Sequence, residues 1–241
     1  MNGFSDIHAH FIYGVDDGAK SRKNMEAMLD AAYADGIASL FATPHVTPGV
    51  FFFDFDSYSR RYEEACAYCR ERGYAMTLYT GAEILYTPAL QDYVINHRLP
   101  TLADSGHVLL EFVPDVTPRE LTSALDLMER YGYTPILAHI ERYACFLHGS
   151  TARKLKERYE IRYQVNANSV LNNRGFFRTR HIRSWFQEEL VDFVASDAHD
   201  ANIRPFQMKR AYAELKQNYG EDYAARLTGM QQKSSAQGKE K

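Results

Sequence analysis

The chain has 241 residues, 45% of them hydrophobic, which suffices for one folded domain with a real core and excludes general disorder. With 28 basic and 31 acidic side chains the net charge is −3, so nothing draws it generally to nucleic acid. No run approaches the ~18 consecutive apolar residues of a membrane span, and Met1–Asp6 shows no basic stretch leading into an apolar one. The expectation is a cytoplasmic protein. Three cysteines, Cys66, Cys69 and Cys145, cannot build a disulfide framework.

Short apolar runs alternate with amphipathic ones along the chain. Strands are predicted at Phe4–His10, Ile37–Thr43, Tyr74–Gly81, Val108–Val113, Thr134–His139, Arg162–Val165 and Leu190–Ser196. Helices are predicted at Lys23–Ala34, Asp56–Arg72, Glu120–Tyr131, Thr151–Glu160, His181–Gln187 and Pro205–Gln217, with a weaker helical segment at Pro88–Val94. This βα alternation is the pattern of a parallel sheet covered on both faces, as consecutive apolar residues at Val108–Leu110 and Val191–Ala195 require. The absence of a G-x-G-x-x-G loop favours a barrel over a doubly wound sheet, a choice that periodicity alone leaves open. A single domain over residues 1–229 and a polar, flexible tail over 230–241 are expected.

His8-Ala9-His10 closes the first strand, and residues two apart on a strand point to the same side. Asp197-Ala198-His199 repeats this spacing after the last strand. His45, Glu83, Glu111 and His139 occupy corresponding strand ends, and Asp16 and Asp17 lie in the first loop. Only the sixth strand, leading into Asn166, lacks a His, Asp or Glu. One such histidine alone is most often a hydrogen-bonded structural residue, and Glu111 alone could be a helix cap. In a closed parallel barrel, however, all these positions meet at one rim, where burying them together is costly unless protons or metal ions neutralise them. Imidazoles and carboxylates without thiolates suit Mn, Fe or Zn, and do not distinguish among the three.

Arg142, three residues beyond His139, and Arg204, five beyond His199, add guanidinium forks that match phosphate oxygens. A cysteine-based phosphatase loop is excluded: Thr151 stands where the arginine would follow Cys145. Neither G-x-S-x-G nor a glycine-rich ATP loop is present. The Cys66-x-x-Cys69 pair falls within a charged helical run, which disfavours redox or zinc chemistry. Phe51-Phe52-Phe53, directly after the His45 loop, could form an aromatic wall at the entrance or merely cover the barrel end.

The motifs Asp6-Ile7-His8-Ala9-His10, Gly14-Val15-Asp16-Asp17-Gly18-Ala19, Ala42-Thr43-Pro44-His45, Gly81-Ala82-Glu83, Leu110-Glu111-Phe112, His139-Ile140-Glu141-Arg142-Tyr143 and Ser196-Asp197-Ala198-His199 occur in that order. Together they resemble the polymerase-and-histidinol-phosphatase superfamily. Within it they are most similar to the manganese-dependent tyrosine-protein phosphatases of bacterial capsular and exopolysaccharide operons. Ile140 replaces the branch's usual proline, and Phe51-Phe52-Phe53 replaces a more polar stretch. The resemblance implies a distorted seven-stranded, TIM-barrel-like (β/α) barrel and three divalent metal ions, Mn2+ in the first instance. It places His8, His10, Glu83 and Asp197 on the first ion, Glu83, Glu111 and His139 on the second, and Asp16, His45 and His199 on the third. Arg142 and Arg204 would contact phosphate, and the implied partner is an autophosphorylating bacterial tyrosine kinase. Asp17 and Asp200 are candidates for the acid that protonates the leaving group. A small-molecule activity such as histidinol-phosphate hydrolysis and a noncatalytic metal-containing binding protein stand as alternatives.

Overall fold

The computed structural model describes residues 3–50, 53–96, 99–147, 150–171 and 176–230, with backbone alone for 176–179. These residues form nine strands: β1 (Phe4–Ala9), β2 (Ile37–Ala42), β3 (His45–Val46), β4 (Thr77–Thr80), β5 (Glu83–Leu85), β6 (His107–Glu111), β7 (Thr134–Leu137), β8 (Arg162–Asn166) and β9 (Phe193–Ala195). Every strand pair is parallel, in the orders β1-β2-β4 and β3-β5-β6-β7-β8-β9. A parallel bridge between Ala9 and Ala198 joins the first strand to the segment after the last. His10 N donates to Ala198 O at 2.8 Å and Asp197 N to His8 O at 2.9 Å. The result is a curled, partially closed sheet, a distorted barrel.

Each of the seven predicted strands has its counterpart. The two additional ones arise because β2 and β4 bend and continue as β3 and β5, across Thr43-Pro44 and Gly81-Ala82. A bend strips backbone groups of ladder partners. The Tyr58 hydroxyl supplies replacements at both bends: it accepts from Gly81 N at 3.3 Å and lies 3.3 and 3.4 Å from the carbonyl oxygens of Ala42 and Gly81. Burial pushes that phenol's pKa up to about 12, so it stays protonated and able to donate.

Alternate strand positions divide between two apolar clusters. Leu40, Val108, Leu110, Leu137 and Val194 join the large cluster shared with the helices. Phe41, Leu109, Ile136 and Ala195 join a small one, which fills the barrel interior. Glu111 follows Leu109 by two residues and Asp197 follows Ala195 by two, so both carboxylates rise above that interior plug.

The helices fall close to their predicted positions, at Arg22–Ala34, Phe55–Glu71, Leu90–Ile95, Pro118–Arg130, Thr151–Arg158, Phe176–Gln187 and Met208–Tyr219. Pro118–Arg130 shows why: Thr117 and Glu120 form a reciprocal capping box with Pro118 in the first turn. Ala167–Leu171 and Glu221–Leu227 are further helices that periodicity did not reveal. Cys66 and Cys69 lie on Phe55–Glu71 as free thiols, and burial pushes Cys69 up to about 11, an unreactive state. No helix among the described residues is long and apolar enough to cross a membrane. Met230 packs on the core, and the rest of the expected tail lies outside the described residues.

Tyr58→Phe removes the hydroxyl from both bends at almost constant volume. Urea denaturation should show a loss of about 1–3 kcal/mol, the cost of leaving buried backbone groups unpaired. Unchanged stability would show that the bends do not depend on it.

Candidate metal centre

The C-terminal ends of the strands bring the predicted polar residues to one mouth. His45 pairs in register with Glu83, and Leu85 with Glu111, so β3 and β5 set His45 and Glu83 side by side while β6 places Glu111 two positions further along. Glu83 is fully buried at their centre. Its Oε2 lies 3.1 Å from His8 Nε2, 3.3 Å from His10 Nε2 and 3.1 Å from His45 Nδ1, while Oε1 lies 2.7 Å from His139 Nε2. Asp197 Oδ1 completes the first side, 3.5 Å from His8 Nε2 and 3.6 Å from His10 Nε2.

Three overlapping sets of side chains can coordinate metal ions: His8, His10, Glu83 and Asp197; His45, Glu83 and Glu111; and His10, Asp17, His45 and His199. His139 borders the second set, with Nε2 3.5 Å from Glu111 Oε1. The third set differs from the resemblance in two ways: it adds His10, and it has Asp17 in place of Asp16. Asp17 Oδ1 approaches His45 Nε2 at 3.4 Å and His199 Nε2 at 3.3 Å, in the place expected of Asp16. Asp16 is engaged behind them: Oδ2 meets His10 Nδ1 at 2.8 Å and accepts from His45 N at 3.1 Å, and Oδ1 accepts from Gly18 N at 2.9 Å. The loop is drawn tight here, since a Cβ on Gly18 would lie 2.0 Å from the His10 carbonyl oxygen.

The donor set fits divalent cations. Glu83 Oε2 and His199 Nε2 are buried without a hydrogen-bond partner despite their near neighbours, as expected of atoms aimed at an ion. Charge tells the same story. Burial opposes charge on Glu83 and Asp197, yet His8 beside Glu83, and His8 with Arg142 beside Asp197, hold both carboxyls well below the usual range. Burial likewise opposes charge on His8, His10 and His45. The carboxylates around them overcome it, raising all three and taking His10 to about 10. His199 moves the other way, to about 4, through burial and repulsion from His10. The carboxylates and the imidazoles of His8, His10 and His45 thus favour each other's charged forms.

A layer that the sequence reading missed stands behind the ligand set. Gln164 and Asn166, two apart on β8, are both buried. Gln164 Oε1 accepts from His139 N at 2.7 Å and lies 3.2 Å from His8 Nδ1. Gln164 Nε2 donates to Asn166 Oδ1 at 2.7 Å, and Asn166 Nδ2 donates to Asp197 Oδ2 at 2.7 Å. An Nδ1–H of His8 directed at Gln164 Oε1 would leave the Nε2 lone pair for a metal ion once the second proton is displaced. His139 and Asp197 both hold left-handed backbone, φ 32° and 54°, a strain that such anchoring sustains. The signal for this layer was the one strand end without an ionisable residue.

Arg142 and Arg204 converge as expected, both donating to Asp197 Oδ2, Arg204 at 2.9 Å. They leave 39% and 40% of their side chains exposed, so guanidinium N–H groups remain free for an incoming anion. Asp200 is held in its own loop by the backbone amides of Asn202, Ile203 and Arg204. Burial opposes this, but those amides keep its carboxyl low, an unsuitable state for a proton donor. Phe51 and Phe52 lie outside the described residues, and Phe53 is half-buried near the mouth.

Two outcomes follow from this geometry. Binding of Mn2+ at pH 7.5 should release the proton that its neighbours hold on His10, seen as buffer-dependent calorimetric enthalpy, and affinity should fall as pH is lowered. Buffer-independent enthalpy would contradict the charge assignment. Gln164→Leu should weaken Mn2+ binding by about 10–100-fold; unaltered affinity would remove the second layer from the account.

The whole chain has relatives of known kind. The family described as capsular polysaccharide synthesis, CpsB/CapC, matches residues 4–234. The tyrosine-protein phosphatase CpsB of Streptococcus pneumoniae is 29% identical over 229 residues, covering 92% of this chain and 93% of the relative. A structure described as one of YwqE from Bacillus subtilis and CpsB from Streptococcus pneumoniae, unique metal-dependent tyrosine phosphatases, superposes with a TM-score of 0.84 at 26% identity. It covers 93% of this chain and 91% of that one. Histidinol phosphate phosphatase from Lactococcus lactis shares the fold at a TM-score of 0.56 and 14% identity, over 94% of this chain and 98% of that one. With the match running almost end to end, the chain belongs to the CpsB/CapC family of capsular polysaccharide synthesis.

Proposed function

We propose that the chain is a metal-dependent phosphomonoester hydrolase, a protein-tyrosine phosphatase that works with Mn2+ on the phosphotyrosines of a bacterial tyrosine autokinase. The observation that carries this reading is the pairing of two half-exposed guanidinium groups, Arg142 and Arg204, with three overlapping cation-binding sets at one barrel mouth. The tyrosine-protein phosphatase names of relatives that span the same length support the choice of ester.

His8, His10, Glu83 and Asp197 would hold the first ion. Glu83, Glu111 and His139, with His45 alongside, would hold the second, and His10, Asp17, His45 and His199 the third. Bound there, divalent ions supply Lewis acidity, which makes water a nucleophile near neutral pH and draws charge from phosphoryl oxygens. The chain supplies the rest. Arg142 and Arg204 bind the non-bridging oxygens and stabilise the charge that develops on them. Asp197 Oδ2, shared by both guanidinium groups and Asn166, fixes where those forks begin. Oδ1 is left facing the imidazoles. Of the two acid candidates, Asp17 falls within the third set and Asp200 is locked by backbone amides, so neither is assigned that role. Tyrosinate, from a phenol of pKa about 10, leaves with less help than an alkoxide.

The test is turnover of a phosphotyrosyl peptide, histidinol phosphate and an oligonucleotide end, after metal removal with EDTA and reconstitution with Mn, Fe, Zn or Mg. Activity should vanish with the metal, return most fully with Mn2+ and favour the peptide; a preference for histidinol phosphate would overturn the substrate assignment. Full metal occupancy with no turnover of any ester would establish a binding protein in place of an enzyme. Asp197→Ala should remove both metal and turnover. Arg142→Ala should retain most of the metal while losing about 10²–10³-fold in turnover. Metal loss without a rate effect would contradict its role.

A further inference from the structure

Two clefts open beside the metal centre. One, of about 450 Å³, is lined by Lys20, Asn24, Asp200, Asn202 and Arg204 together with the apolar Ala19 and Ile203. The other, of about 470 Å³, has Asp17, His45 and Glu111 on its inner side. Its remaining wall includes Val15, Phe53 and Leu85, drawn from the loops after β1 and β3 and from the end of β5. Asp17 lines both, so the clefts meet at the third cation-binding set.

We propose that the Val15–Phe53–Leu85 cleft receives the aromatic ring of the phosphoester, and so selects aryl over alkyl phosphates. This deepens the phosphatase reading and rests on it. A cavity of roughly 150 Å³ already holds benzene, so a phenyl ring fits with room for its connection to a peptide. These three side chains come from separate parts of the chain and are all half-buried, leaving apolar surface for a ring to cover. Phe53 is braced for such a contact, with its ring edge-on to Phe55 at 4.8 Å and tilted against Tyr58 at 5.7 Å. A second aromatic can add offset or edge-on contact there. The other cleft also carries apolar surface, at Ala19 and the exposed Ile203, but a ring entering it would strip water from Lys20, Asp200 and Arg204 without pairing them. It instead offers Lys20 and Arg204 to the polar parts of a substrate. The phosphoryl group would then sit at the cluster between the two clefts, with the arginines on one side and the ring on the other.

The probes are phenylphosphonate and methylphosphonate, which share the anionic head and undergo no hydrolysis. Their dissociation constants are measured by calorimetry on Mn2+-loaded chain. Wild type should prefer phenylphosphonate by about tenfold, the value of partly covering one ring. Phe53→Ala and, separately, Val15→Asn should each bring the ratio of the two affinities toward one; the second variant decides if the first fails to fold. Equal affinities in wild type, or a ratio unaltered in a folded variant, would overturn the cleft assignment and leave the phosphatase reading standing. Absence of binding by either phosphonate, together with absence of ester turnover, would overturn both.

Discussion

Buried carboxylates without enough positive charge would force the barrel mouth open, and Glu83 is where that constraint is tightest. Its side chain has no exposure, yet it contacts His8, His10, His45 and His139 and belongs to two of the three cation-binding sets. A carboxylate so placed is tolerable only while protons on the surrounding imidazoles, or metal ions among them, balance it. Much of the remaining architecture follows from this need. β3 and β5 continue bent strands so that His45 and Glu83 stand in register, and β6 places Glu111 just beyond them. The closure between Ala9 and Ala198 brings His8, His10, Asp197 and His199 to the same point.

Holding these groups in one geometry costs backbone strain and needs a second layer. The left-handed conformations of His139 and Asp197 are fixed by hydrogen bonds from their own amides, to the Gln164 side chain and to the His8 carbonyl. Gln164 and Asn166 also link the His8 ring to Asp197, so that one short segment of β8 orients ligands from three other parts of the chain. Beneath them Asp6 ties β1 to the Ser196 amide, and its burial raises that carboxyl to about 6. The site is thus a rigid mouth with partly exposed arginines at its edge, an arrangement suited to an anion arriving from solvent.

Much of this was legible in the sequence because period-2 patterning and strand-end position are local signals. His8-x-His10 and Asp197-x-His199 needed only the alternation of a strand to be read as pairs, and parallel topology then placed all the strand ends on one rim. What escaped depends on nonlocal closure. Asp16 and Asp17 are chemically identical neighbours. Only the tight loop, with Ala19 N bonded to His10 O and Gly18 pressed on His10, decides which one faces the imidazoles. The bends after Ala42 and Thr80 were equally hidden, since their stability rests on Tyr58 from a distant helix. Gln164 and Asn166 gave no local signal of their role because amides carry no mark of their partners. The helix at Glu221–Leu227 did have a local cue, acidic residues in the first turn after Gly220, which apolar periodicity alone passed over.

The central claim is that the carboxylates and imidazoles gathered around Glu83 exist to hold a cluster of cations. Anomalous diffraction from crystals of the Mn2+-loaded chain, collected at the manganese edge, addresses it most directly. Three peaks at the mouth, with Glu83 between two of them and Asp17, in place of Asp16, beside the third, are expected. Manganese bound elsewhere on the chain, with the Glu83 pocket lacking any peak, would contradict the account.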